Sequence, residues 1–216
     1  LELAVEHHKA DRLSEAEAVY QQMLRQDPNQ ADAIHMLGVL AYQAGKNELA
    51  VELITRAVTI RPDFAEAYCN LGLALQPLGK LEEAADCCRK ALALKPDHSE
   101  ALYNFGNVQR RLGNLAEAVT AYRKALALKP DHTSALNNLG ATLVDLGNLQ
   151  GAVGSYRMVL ALKPDHSETH YNLGNVQRDL GNLPEAITSY HKSLTLEPNY
   201  AEARNNLGVA LEQLGR

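Results

Sequence analysis

Five asparagines, Asn70, Asn104, Asn138, Asn172 and Asn206, stand 34 residues apart. A carboxamide does not titrate; it offers one acceptor oxygen and two N–H donors. That set pairs with both the C=O and the N–H of an extended peptide, whatever side chains the peptide carries. Five such groups at one phase predict a ladder that holds a polypeptide backbone. A plainer reading of the same residues has them bonding to neighbouring backbone between repeats, or carrying no ligand. Tyr103, Tyr171, Asn107, Asn175, Arg110, Arg178, Asp145 and Asp179 fall on or near the same helical face. They would set a preference for a polar, amphipathic peptide, or form a solvated surface.

Other chemistry finds no constellation. His166 and His170 are four apart, as two metal ligands on a helix would be. His98 and His132 repeat the phase of His166 in the inter-repeat loop without such a partner, and the stretch is not HExxH. His7 and His8 fare no better, so no metal is expected. Cys69, Cys87 and Cys88 do not form a disulfide framework; Cys88 takes a slot held elsewhere by Tyr20, Tyr122, Tyr156 and Tyr190 and reads as a small core hydrophobe. Free thiols fit a reducing compartment. No glycine-rich phosphate loop and no nucleophile with a placed histidine and acid occur, so neither a cofactor nor catalysis is expected of this chain.

The elements that must position these residues are repeats. Pro28, Pro62, Pro96, Pro130, Pro164 and Pro198 are each 34 residues apart, and Gly38 to Gly208 and Gly45 to Gly215 keep the same step. One period shared by several residue types over the whole chain is the mark of a repeat architecture. The stretch from Ser99 to His132 shows the unit. Leu102, Phe105, Gly106, Val108, Gln109 and Leu112 make one face of a first helix. Gly113 then supplies the left-handed position that ends it. Asn114 reads as the N-cap of a second helix, with Glu117 completing a capping box. Leu115, Ala118, Val119, Tyr122, Ala125, Leu126 and Leu128 form its stripe, and Pro130 stops it. Asp63 with Glu66, Asp97 with Glu100, Asp165 with Glu168 and Asn199 with Glu202 repeat the cap spacing at the first helices. Gly106 and Ala118 have almost no side chain, so the two backbones are expected to approach closely. A single hairpin cannot bury its stripe, and stacking on the next one does.

This pattern, with Leu-Gly, a Gly-Asn turn, Ala, Tyr, Ala and Pro at these spacings, resembles the tetratricopeptide repeat family over essentially the whole chain. The resemblance implies an all-α fold, a right-handed superhelical solenoid of helix–turn–helix repeats with a concave groove lined by first helices. The asparagine row resembles that of the amino-terminal superhelix of O-GlcNAc transferases, where such asparagines hold substrate polypeptide; it departs at Met36, which shortens the ladder. Some family members clamp acidic C-termini with lysines and an arginine around two asparagines. Asn107 and Asn138 would supply the amides here, but the cationic slots hold Tyr103, Glu168 and Asn172. That clamp is therefore not expected. The implied function is a protein-interaction module, within a larger protein such as an O-GlcNAc-transferase-like glycosyltransferase. The alternative is a scaffold or self-assembly module using its ends or convex face.

Composition narrows the partners. A net charge of −5, with Arg110 and Arg111 as an isolated basic pair, lacks the clustered footprint that nucleic acid requires. No apolar run approaches the 18 or more residues of a membrane span. The partner expected is a protein or an extended peptide. The chain begins at Leu1 in mid-repeat and ends at Arg216 just after a first helix, as an excised piece of a longer protein would. Its ends would then expose a core-facing stripe, including Leu207 and Leu211, with a hazard of end-to-end association.

One solenoid over residues 1–216 is expected, divided as 1–30 (partial), 31–64, 65–98, 99–132, 133–166, 167–200 and 201–216 (first helix only). In the first, Ala4 replaces the glycine. In the third, Pro77 removes a hydrogen bond near the end of the first helix and should shorten or kink its last turn. Pro184 lies in a first turn, where proline is tolerated. Gly151 and Gly154 sit inside the second helix of the fifth repeat, each costing roughly 0.5–1 kcal/mol against alanine. Amide hydrogen exchange across that helix is expected to outpace exchange in the other second helices. Equal protection would remove the soft spot.

Overall fold

The computed structural model describes residues 12–215 together with Glu6 and Ala10; Ala4, His7 and His8 lie outside the described residues. Twelve α-helices and no strand occur among them. The chain divides into two compact units, Leu1–Leu112 and Gly113–Arg216. The first holds α1 (Leu13–Gln26), α2 (Ala31–Gln43), α3 (Asn47–Ile60), α4 (Ala65–Leu75), α5 (Leu81–Leu94) and α6 (Ser99–Arg111). The second holds α7 (Leu115–Leu128), α8 (Thr133–Asp145), α9 (Leu149–Leu162), α10 (Ser167–Asp179), α11 (Leu183–Leu196) and α12 (Ala201–Gln213).

Helices pair as the period predicts. In the first unit α2 packs on α3 and α4 on α5; in the second α8 packs on α9 and α10 on α11. Pairs then stack through α3 on α4, α5 on α6, α9 on α10 and α11 on α12, and first helices also touch first helices, as α4 touches α6 and α10 touches α12. Each first helix ends on a glycine with positive φ, such as Gly147 at 74°. There the Gly147 N–H donates to the Val144 carbonyl and the Asn148 N–H to that of Leu143, the double bond of a Schellman end.

The core of each pair is a side chain seated where the repeat glycine has none. A Cβ on Gly140 would lie 2.7 Å from the ring of Tyr156, and one on Gly174 2.6 Å from that of Tyr190. Ile54 fills the same place over Gly38, and Cys88 over Gly72 at 3.2 Å, where the Ala84 carbonyl oxygen also comes within 3.2 Å. The close backbone approach expected from the glycine–alanine pairing is therefore present, with a buried side chain wedged beside it. Cys69, Cys87 and Cys88 are all free and buried. Burial pushes their thiols up to about 11, 11 and 12, so they stay protonated and inert at neutral pH.

Pro77 has the expected effect: α4 has 11 residues where α2 and α6 have 13. Two other expectations need correction. Asp63, Asp97 and Asp165 do not cap their helices, and nor does Asn199; the caps are Phe64, His98, His166 and Tyr200, one residue later. The His98 N–H reaches back to the Lys95 carbonyl at 3.2 Å, closing a turn with Pro96 and Asp97 at its centre. The aspartate is taken up by the turn, and an imidazole does the capping. Nδ1 of His98, His132 and His166 accepts from the backbone N–H three residues on at 3.4, 3.4 and 3.2 Å. Asn114 is the N-cap of α7 by position without a side-chain cap bond, whereas Asn148 caps α9 through Gly151 N–H at 3.0 Å.

The second correction concerns the last helix. Leu207 is only 9% exposed, and Leu211 is half-buried, because both pack onto Ala186 and Tyr190 of the preceding pair. The face of α12 left uncovered carries Gly208, where an added Cβ would meet nothing within 4 Å, and the exposed Val209. Equivalent glycines should therefore respond oppositely. Gly174→Ala forces a methyl into a tyrosine ring held by its own hydroxyl bond to Asn175 and should cost about 1–3 kcal/mol. Gly208→Ala should gain up to about 1 kcal/mol from helix propensity. Thermal unfolding of the two variants checks the difference in sign.

Candidate functional site

In the first unit Asn70 and Asn104 are turned toward the preceding repeat. Asn70 Nδ2 lies 2.8 Å from His35 Nε2, and Asn104 Nδ2 donates to Cys69 Sγ at 3.2 Å. Each partner stands 35 residues earlier, one place before the preceding repeat's asparagine position. Asn104 is only 4% exposed, whereas Asn70 is half-buried. A recess of ≈ 440 Å³ gathers both with Tyr103, Glu66, Glu100 and His98. Asn107 and Arg110 are half-buried further along α6 and do not line that recess.

His35 shows how tightly this end is packed. It is 5% exposed, meets the ring of Phe64 edge-on at 4.7 Å, and sits beside the Arg61–Asp32 ion pair. Arg61 makes two bonds to the Asp32 carboxylate, at 2.8 and 3.0 Å, and stacks 3.5 Å from the centre of the Phe64 ring. Burial holds the His35 imidazole down at about 4, so it is neutral at pH 7 and its Nε2 can accept from the asparagine.

The second unit repeats the arrangement with different partners. Asn206 Nδ2 donates to Tyr171 OH at 3.4 Å, again 35 residues back, and to Asn175 Oδ1 at 2.8 Å. That oxygen also accepts from Tyr190 OH at 2.8 Å. Tyr171 packs against Tyr200 and Tyr190, with ring centres 4.9 and 6.3 Å apart. Burial pushes the Tyr190 and Tyr200 hydroxyls up to about 12, so both are neutral at pH 7. Asn138 and Asn172 are half-buried, and Asn172 makes no side-chain hydrogen bond among the described residues. Arg178 is spent on its neighbour Asp179 at 3.0 Å. The histidines of α10 are occupied too: His166 Nδ1 caps the helix and His170 Nε2–H donates to the Pro164 carbonyl at 2.8 Å.

One ion pair is not kept along the chain. Asp32 pairs with Arg61, and Glu66 with Lys95 at 3.6 Å, each across 29 residues. The same step from Glu168 reaches Glu197, whose Oε2 accepts from Ser167 OH at 3.2 Å. Both residues are acids, so no ion pair forms at this step.

What the sequence did not show is that His35, Cys69 and Tyr171 are the asparagines' partners; of these only Tyr171 was placed near the same helical face. Their only signal is that each stands immediately before an asparagine-series position, on a helix where core and groove positions alternate. Nothing local says that it must reach the next repeat.

Three family models match the chain. A tetratricopeptide repeat model covers residues 63–131, another covers 103–167, and a TPR repeat model covers 38–79 and 174–215. Together they leave only 1–37, 168–173 and 216 unmatched. No curated protein sequence matches it. Among solved structures, PilW, a widely conserved type IV pilus biogenesis factor, is 23% identical, with a TM-score of 0.85 over 95% of this chain and 96% of its own. Cut9–Hcn1, an APC/C hetero-tetramer, is 21% identical with a TM-score of 0.80 over 97% of this chain and 41% of the other. YrrB, described as a TPR protein with an unusual peptide-binding site, is 22% identical with a TM-score of 0.73 over 86% and 96%. At these identities the likeness is one of fold.

The neutral His35 yields a pH dependence. Its pKa is lower folded (about 4) than unfolded (6.5), so the unfolded chain binds the extra proton between those values. Its contribution is complete above pH 6.5 and is lost as pH falls through that window, by about 3 kcal/mol at most. Urea unfolding at pH 7 and pH 4.5 should show a smaller difference in His35→Gln than in the unaltered protein. An unchanged difference would place the proton elsewhere.

Proposed function

Because the chain belongs to the tetratricopeptide repeat family, we propose that its interaction surface is the asparagine-bearing face of the first helices, and that it holds an extended polypeptide by its backbone. The module itself is a protein-interaction repeat array. The observation that carries the finer reading is the way the asparagines are tethered. Asn70, Asn104 and Asn206 each commit Nδ2 to the repeat before, which orients the carboxamide and turns it into part of the framework. For the half-buried Asn70 and Asn206 the Oδ1 has no partner among the described residues, so an oriented acceptor remains for a peptide N–H. An acceptor held in place before binding loses little entropy when it is used. Asn172, with its whole carboxamide uncommitted, is the rung that can both donate and accept.

Side chains around the rungs set the preference. Tyr103, Tyr171, Asn107, Asn175, Arg110 and Arg178 would contact the peptide's side chains, and the tyrosines offer apolar faces with polar tips. YrrB supports the reading in kind, since a protein of this fold has a peptide-binding site. The setting within a larger glycosyltransferase of the O-GlcNAc-transferase type rests on the asparagine row alone.

The experiment is binding of a random peptide library to the unaltered chain and to the double variant Asn138→Ala, Asn172→Ala. Asn104 is left in place because its loss would break the buried bond to Cys69. The expected result is a loss of at least tenfold across unrelated peptide sequences, with helicity unchanged. Binding that survives, or a loss confined to one peptide sequence, would refute backbone recognition.

A further inference from the structure

First helices of neighbouring pairs touch, but second helices splay apart, and between α9 and α11 they leave a cleft of ≈ 500 Å³. That is the size of a ligand pocket, and none of its lining residues belongs to the asparagine series. Leu173 and His170 of α10 form the floor, and Leu160, Pro164 and Leu196 form the sides. The floor's polar atoms are already satisfied: His170 donates to the Pro164 carbonyl, and Ser189 OH donates to Gln177 Oε1 at 2.7 Å. What the cleft offers inside is apolar surface.

Its rim is cationic. Arg157 of α9 and Lys192 of α11 stand on opposite walls, against the single carboxylate of Asp165 at the mouth. Neither cation makes a hydrogen bond or ion pair among the described residues. The counterpart of Arg157 on α5 is Arg89, which is neutralised by Asp86 at 2.7 Å, three residues before it. On α9 the residue three before Arg157 is Gly154, so the carboxylate is gone. The same helix carries Met158, 51% exposed, where α5, α7 and α11 have Lys90, Lys124 and Lys192. The outer face of α9 thus has neither the acid of α5 nor the lysine of its neighbours, and offers apolar surface beside two uncompensated cations in a chain of net charge −5.

We propose that this cleft docks an acidic peptide segment of a partner protein, which seats one leucine- or phenylalanine-sized side chain between α9 and α11 and sets carboxylates against Arg157 and Lys192. The commitment to that occupant follows from charge complementarity at the rim and apolar lining within. Burial of the side chain supplies affinity, and the two cations fix which peptides are accepted. This surface is separate from the asparagine face, so one chain could engage two segments.

The test is fluorescence anisotropy with three labelled hexapeptides: Asp-Glu-Leu-Phe-Glu-Asp, the same with Ser-Ser at its centre, and Lys-Lys-Leu-Phe-Lys-Lys. The first should bind, and the second at least tenfold more weakly. Reversing the rim with Arg157→Glu and Lys192→Glu should weaken the first at least tenfold and make the lysine peptide the better ligand. Gly154→Asp, at an exposed site with nothing within 4 Å, returns a partner to Arg157 and should weaken the first peptide at least threefold without disturbing the fold. All three peptides are also measured on the background Asn138→Ala, Asn172→Ala, where the same ranking should persist because that variant removes binding to the asparagine face and leaves this cleft intact. Failure of the first peptide to bind, equal binding of the serine peptide, or indifference to both rim variants would overturn the proposal.

Discussion

Everything in each helix pair depends on a missing methyl group. A buried side chain from the second helix occupies the space where a Cβ on the first-helix glycine would be, and this sets how close the two axes come. The wedge varies: tyrosine over Gly140 and Gly174, isoleucine over Gly38, cysteine over Gly72. The hole does not, because any L-residue but glycine brings a Cβ. With the pair spacing held in this way, the apolar stripes of successive pairs meet in register, and burial accumulates one repeat at a time. The tyrosine wedge has a polar tip, and at Tyr190 that tip reaches Asn175, which also receives Asn206. Packing within a pair and hydrogen bonding between repeats are joined there through a single carboxamide oxygen.

On the proposed reading the asparagine series has two duties that compete. The Nδ2 atoms of Asn70, Asn104 and Asn206 stitch three repeats to the ones before, on a histidine, a thiol and a tyrosine standing 35 residues back. Asn104, on the thiol, is deeply buried, whereas Asn70 and Asn206 remain half open. The asparagines are unequal as a result, three of them committed to the repeat before and Asn172 to nothing among the described residues.

The features legible in the sequence were those that the backbone imposes locally. A glycine of positive φ ends a helix wherever it occurs, and Pro77 shortens α4 because it has no N–H to give. The 34-residue step revealed the pairing for the same reason. Where two local structures compete for one residue, the reading failed. Asp97 suits a helix cap and a Pro-Asp turn equally well, and the turn prevails, leaving His98 to cap. Leu207 and Leu211 were expected on an exposed stripe, yet α12 buries them on the pair before it. The partners of the asparagines and the cleft beside α9 were harder still. They arise from tertiary proximity and from absences, such as the acid missing at Gly154, and a periodic pattern draws attention to what recurs.

The Glu168–Glu197 substitution for an ion pair has a consequence for how the molecule meets its solution. Dissolved ions screen attraction and repulsion alike, over about 10 Å at 0.1 M. At the Asp32–Arg61 and Glu66–Lys95 positions screening removes something favourable, whereas at Glu168 and Glu197 there is no such attraction to remove. Ionic strength therefore acts unequally along the chain. The links between α2 and α3 and between α4 and α5 are ones that salt loosens, and the corresponding link between α10 and α11 has nothing of that kind to lose.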